Sequence, residues 1–267
     1  MSPQGSFLMI SIKKSILWSC LAALLLSAAV LVMPASAQGP TIRSVTFYTV
    51  KPNRIGDFQA EVKEYNAIMA KAGSDRYSTI WTSLTGTREF ARVQMYYKWA
   101  DLDSTVGTDP KLKDQAADLT RISMRIIECT SSWHRDIDVI MPDYSLPDSG
   151  DEPTMIRVLV THVRPEKFRE YLDFQKNVVL PAIQKSGAKD YNFADKRFGE
   201  PGPVYVSVVG FNNWADLDAG VGAEKGLSKD DYKALVDKVH ELIVSSNFIL
   251  YRYQPDLSYL PAPAPAK

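Results

Sequence analysis

The sequence predicts an α+β protein made of two tandem ferredoxin-like β-α-β-β-α-β units packed sheet to sheet. Three observations predict it. The pentapeptide Trp-Ala-Asp-Leu-Asp occurs at Trp99–Asp103 and again at Trp214–Asp218, a repeat period of about 115 residues. Each repeat holds runs with strand alternation and runs with helical apolar spacing in the same order. A polar, proline-punctuated stretch, 142–154, separates the two copies like a linker with little to bury.

In the first unit, 42–141, residues 42–51 alternate as a strand, and Pro52-Asn53 stops it and supplies a helix cap. Ile55, Phe58, Val62, Tyr65 and Met69 share one helical face, and Gly73 ends that helix. Tyr77 to Leu84 and Phe90 to Tyr97 read as strands around a Gly86-Thr87 turn. Asp109-Pro110 is an N-cap with proline after it, opening a helix through Leu112, Ala116, Leu119, Ile122 and Ile126. Trp133 to Met141 is the fourth strand.

The second unit, 155–256, restarts the pattern. Val158–Val163 matches Val45–Val50, Arg164-Pro165 matches Lys51-Pro52, Ser186-Gly187 matches Ala72-Gly73, and Tyr191 is matched to Tyr77. Ser228 and Asp231 form a capping box for a last helix that carries Tyr232, Leu235, Val239 and Ile243 inward. Pro255-Asp256 echoes Pro142-Asp143, and 257–267 reads as a disordered Pro/Ala tail.

The N-terminal stretch, 1–37, reads as a signal peptide: Lys13-Lys14, an apolar run from Ile16 to Met33, and Ala35-x-Ala37 at the cleavage site. An uncleaved anchor is the alternative, since the run is long enough to span. Removing Lys13 and Lys14 from the 31 basic residues leaves 29 against 31 acidic ones. That balance gives no electrostatic case for nucleic acid or for a membrane partner after cleavage. Cys20 goes with the signal, so Cys129 has no disulfide partner and, among Ile126, Ile127 and Trp133, reads as a buried thiol. A bacterial periplasmic or secreted location is expected.

The chain is similar to the dimeric α/β-barrel superfamily, here as a tandem repeat in one chain, over about Ile42 to Pro255. The residues that carry the resemblance are Phe168 to Tyr171, Leu180-Pro181-Ala182 with Lys185-Ser186-Gly187-Ala188, and the strand running into Phe211-x-x-Trp214. That superfamily includes antibiotic-biosynthesis-monooxygenase, NIPSNAP-like, EthD-like and chlorite-dismutase-like families. The resemblance implies the barrel; it implies no single chemistry, since one fold hosts many.

No P-loop, dinucleotide turn, His-Glu-x-x-His, Cys-x-x-Cys or Gly-x-Ser-x-Gly is present. His162 alternates with Val158 and Val160 on a strand face, with Thr49 as its counterpart, so the two are candidates to line a cavity, His162 as a catalytic base. A satisfied core or interface histidine is the plainer reading. Tyr77, Thr79 and Trp81 share a face that the second unit is expected to reproduce as Tyr191, Phe193 and Asp195, with Asn213 as a further polar handle. Core filling by large side chains explains the same aromatics. Trp99 and Trp214 are expected to pack the corners after the third strands. No metal site and no cofactor are expected; His240 is the one position to test as a ligand if haem is present. Three readings follow: a small-molecule-binding barrel for an apolar or aromatic ligand, in the manner of cofactor-independent monooxygenases; a non-catalytic interaction module; and a haem protein.

Overall fold

The computed structural model describes residues 41–147, 149–150 and 152–261. The expected signal peptide and the end of the tail lie outside these residues. Among the described residues no helix is long and apolar enough to cross a membrane.

Eight antiparallel strands close into one barrel in the order β1-β3-β2-β8-β5-β7-β6-β4. The first half supplies β1 (Ile42–Val50), β2 (Thr79–Ser83), β3 (Phe90–Tyr96) and β4 (Thr130–Ile140). The second supplies β5 (Met155–Val163), β6 (Tyr191–Phe198), β7 (Val204–Phe211) and β8 (Ile243–Tyr253). Each half is a four-stranded sheet, and two short seams join them. At one, Trp81, Thr82 and Ser83 of β2 face Tyr253, Arg252 and Tyr251 of β8. At the other, Asp138, Val139 and Ile140 of β4 face Lys196, Asp195 and Ala194 of β6.

Helices cover the outer face of each sheet. In the first half these are α1 (Ile55–Lys71) and α2 (Ala116–Glu128). Phe58, Val62, Tyr65 and Met69 of α1, with Leu119, Ile122 and Ile126 of α2, pack on Val50, Ile80 and Phe90 of the sheet. Fully burying such side chains stabilises the fold by about 1.5–3 kcal/mol each. Gly73 leaves α1 at φ +61°, a left-handed exit that glycine makes without steric cost. Asn53 does not cap α1; a 3-10 turn, Pro52–Arg54, leads into it. Asp109-Pro110 likewise opens only a turn: the Asp109 side chain accepts from the Lys111 N–H, and α2 begins at Ala116.

In the second half α3 runs as Phe168–Phe174, a π turn at Gln175–Val179, and Leu180–Ser186. Pro181 explains the π turn, because its missing N–H and its ring cannot sit in an unbroken α ladder. Beyond it come a short α4 (Ala223–Gly226) and α5 (Lys229–Leu242), the latter capped by Ser228, which accepts from the Asp231 N–H. Ile243 begins β8 rather than ending the helix.

The repeat extends further than the linker expectation allowed. After β4 the chain crosses onto the second half as a strap, and after β8 it crosses onto the first half in the same way. The Ser145 hydroxyl accepts from the Phe193 N–H and the Ser258 hydroxyl from the Ile80 N–H, both at 2.9 Å. Leu146 donates through its N–H to the Tyr191 carbonyl, and Tyr259 to the Ser78 carbonyl. Tyr144 packs on Phe193, and Leu257 is buried in the first-half core. The stretch 142–146 is therefore not a free linker, and 257–260 is not a free tail. Backbone pairing and one apolar anchor hold each of them.

Trp99 and Trp214 do not fill their corners; both are about half exposed, and Trp99 stands edge-on to Phe198 at 6.0 Å. The carboxylates hold the corners instead. Asp101 accepts from the Tyr97 and Lys98 N–H groups, and Asp216 from those of Asn212 and Asn213.

Candidate functional site

The two halves place a sheet face under helices at the same location, and there they differ. In the first half Tyr48, Ser78, Ile80 and Arg92 rise from the sheet, and Val62, Tyr65 and Asn66 descend from α1. Ile126 of α2 and Leu257 of the strap complete a shallow recess with room for about one water molecule. Leu257 is fixed as a wall because the Asn66 amide donates to its carbonyl at 2.8 Å. The Tyr259 hydroxyl donates to the Ser74 carbonyl at 2.6 Å and pins the strap beyond it.

Arg92 is half-buried, with its guanidinium 5.0 Å from the centre of the Tyr65 ring. Burial works against its charge, but the oxygens of Tyr65, Tyr48 and Tyr96 outweigh burial and raise its pKa further. No acidic residue lines the recess.

Strand registers identify the equivalent positions in the second half. Arg92 lies opposite Thr46 and Ile80, as Ser207 lies opposite Leu159 and Phe193. Counting along the same ladders, Tyr48 corresponds to Thr161, and Ser78 to Tyr191. On the helices Phe58 corresponds to Tyr171 and Val62 to Gln175. The second half fills this space with its own side chains. Tyr191 is buried, with its hydroxyl 3.4 Å from Gln175 Oε1 and 3.5 Å from Ser207 Oγ. Burial pushes its phenol up to about 12, slightly opposed by Ser207. Burial also pushes up the Tyr171 phenol, which faces Thr161 and Gln175.

The barrel interior is a separate environment. Trp81, Ala91 and Tyr251 pack there with Val45, Phe47, Val93, Ile156, Val158, Ile249 and Tyr253. Near the β4–β6 seam it is ionic. Arg43 pairs with Asp138 at 2.8 Å, both buried. Lys196 pairs with Asp136 at 2.7 Å and with Glu200 at 2.6 Å, and Glu200 reaches His162 Nε2 at 2.9 Å. Burial opposes the Lys196 charge, but the two carboxylates outweigh it and raise its pKa.

Solved structures of other proteins share this architecture. Two proteins named "putative monooxygenase" align with it. The one from Fusobacterium nucleatum has a TM-score of 0.57 at 12% identity, covering 80% of this chain and 92% of that one. The one from Lactobacillus acidophilus has a TM-score of 0.53 at 9% identity, covering 84% and 97%. An anthrone oxidase-like protein gives 0.53 at 14% identity, covering 81% and 92%. No protein-family model and no curated protein sequence matches the chain. The fold is that of the dimeric α/β barrels, closed within one chain.

Within this barrel the sequence-predicted residues scatter. Trp81 is buried in the interior, where its indole N–H donates to Thr79 Oγ1 at 3.0 Å and its ring lies 5.1 Å from Tyr253. Thr49 near the end of β1 and Tyr77, just before β2, are half-buried and share the parity of the interior-facing positions. His162 shares that parity at the end of β5 and is held by Glu200. Tyr191 is on the opposite face, under the helices. The expected match of Tyr77 to Tyr191 is one residue out of register, and such a slip exchanges the two faces of a strand. The true counterpart of Trp81 is Ala194. Asn213 is an exposed cap, accepting from the Asp216 N–H at 3.2 Å, and does not line the recess.

His240 is exposed on α5, and no cluster of three metal-ligating side chains exists among the described residues. The recess itself was missed from the sequence, though one signal marked it. Arg92 follows Phe90 at a spacing of two, which puts a cation on a strand face that points into the core.

Proposed function

We propose that this chain is a small-molecule-binding barrel whose ligand, mostly apolar or aromatic, enters the first-half recess between sheet and helices. One observation carries the reading. At equivalent positions the second half carries the buried Tyr191 where the first has Ser78, and the first half leaves a shallow recess with aromatic and aliphatic walls and a few polar groups. Such a composition is what small-molecule pockets share. The names of the structural neighbours put oxygen-dependent oxidation first among the reactions to assay. There the recess would position an oxidisable substrate without a cofactor held by the chain. The Lys13-Lys14, apolar-run and Ala35-x-Ala37 pattern supports an exported protein doing this work outside the cytoplasm.

The test is a melting scan of the 38–267 chain against small aromatic compounds, with Ser78→Tyr alongside. Ligand-dependent stabilisation that disappears in a folded Ser78→Tyr protein supports the reading. Stabilisation that survives the substitution places the ligand elsewhere and ends it.

A further inference from the structure

We infer that two copies of this chain pair through the open edge of β8, strand to strand about a two-fold axis. The strand outruns its neighbour. β8 pairs along nearly its whole length with β5, but β2 meets its other edge only at Tyr251, Arg252 and Tyr253. Leu250 still has partners on that edge: its N–H donates to Thr85 Oγ1 at 3.0 Å, and its carbonyl accepts from the Leu84 N–H at 2.7 Å. Backbone groups alternate between the two edges of a strand, so Phe248 and Ser246 direct theirs the same way as Leu250. Among the described residues no strand lies there to receive them. Residues 244–248 are all exposed, Val244 at 64% and Phe248 at 54%.

An unpaired strand edge is a template for another strand, and folds blunt such edges with charge or proline. This chain does so at one of two equivalent places. β4 likewise runs past β6, which it meets only from Ile137 onward, and its stretch 131–136 carries His134, Arg135 and Asp136. The matching stretch of β8, 244–249, reads Val-Ser-Ser-Asn-Phe-Ile, with no charge and no proline. A second copy fits this edge because the stretch is complementary to itself. Antiparallel pairing centred on Ser246 sets Val244 of each copy opposite Phe248 of the other, two apolar cross-strand pairs on one face. The stretch brings no charge of its own to the axis. Arg157, with its guanidinium 5.2 Å from the centre of the Phe248 ring, already holds that ring from one side. The new ladder also continues the β2–β8 seam along the same edge, so it extends an interface the fold already uses.

The test is sedimentation equilibrium of the 38–267 chain across micromolar concentrations. A dimer is expected in the unaltered chain and in Trp133→Lys, which alters the β4 edge at the position equivalent to Ser246. Phe248→Lys places a charge at the apolar pair, and Ser246→Pro removes an outward N–H while leaving the β5 ladder its bonds. Each is expected to melt cooperatively and to weaken the dimer at least about tenfold. Ser246→Cys is expected to cross-link the two copies on mild oxidation, because directly opposed residues of an antiparallel pair lie within bridging distance. A monomer at every concentration overturns the inference. So does a dimer of unchanged affinity in both Phe248→Lys and Ser246→Pro, or one lost only in Trp133→Lys. A dimeric Ser246→Cys protein that does not cross-link overturns the pairing centred on Ser246.

Discussion

The first and second halves share strand order, helix placement and even their straps, yet they spend the same space differently. Where the first half sets Ser78, Arg92 and Val62, the second sets Tyr191, Ser207 and Gln175. One combination leaves a recess with a charge at its wall. The other closes the recess with a buried phenol and neutral partners. The seams diverge in the same way. Asp138, Lys196 and Ala194 at one seam correspond to Tyr251, Ser83 and Trp81 at the other, so one is ionic and the other aromatic. The duplicated architecture fixes the backbone, and a few side chains then decide which half keeps a recess.

The largest expected effect separates the seams. Lys196→Ala leaves Asp136 buried without its cation and is expected to cost about 3–5 kcal/mol in denaturant unfolding. Ser83→Ala, at the equivalent position, removes only a hydroxyl bonded to the turn and is expected to cost about 1 kcal/mol. Equal costs would mean that the two seams are energetically alike despite their chemistry.

Next is the strap over the open recess. Leu257→Ala removes a buried wall and is expected to destabilise by about 2–4 kcal/mol. It also widens the recess, so binding of a small aromatic compound is expected to accelerate in stopped-flow measurements. Unchanged association rates would show that Leu257 does not bound the entrance.

The filled half has its own signature in alkali. Burial raises the Tyr191 phenol from an ordinary 10 to about 12, so between those values the unfolded chain loses a proton that the folded chain keeps. That contribution to stability is complete below pH 10 and is lost as pH rises toward 12, at up to about 1.4 kcal/mol per pH unit. Tyr191→Phe is expected to make the alkaline fall shallower in urea melts across this range. A slope identical to that of the unaltered chain would show that Tyr191 does not carry it.

Much of the architecture was legible because the repeat is written twice and each copy checks the other. Phe58, Val62, Tyr65 and Met69 showed α1 by spacing alone, and Gly73 and Ser228 marked ends correctly. The straps were not legible, since a chain crossing between halves makes contacts that local composition does not encode. Pro142-Asp143 and Pro255-Asp256 looked like loop punctuation, although Leu257 is in the core. The recess was hidden for a sharper reason. Matching Tyr77 to Tyr191 shifted β2 against β6 by one residue and exchanged the barrel face for the helix face. Arg92 also pairs with nothing near it in sequence, so no motif drew attention to it.

The most direct measurement is the stoichiometry of binding of a small aromatic compound by calorimetry in the unaltered chain and in Ser78→Tyr. The account predicts one site per chain, lost when the tyrosine of the filled half is copied into the open one, with cooperative melting retained. A well-folded Ser78→Tyr protein that still binds that compound with unchanged affinity would contradict it.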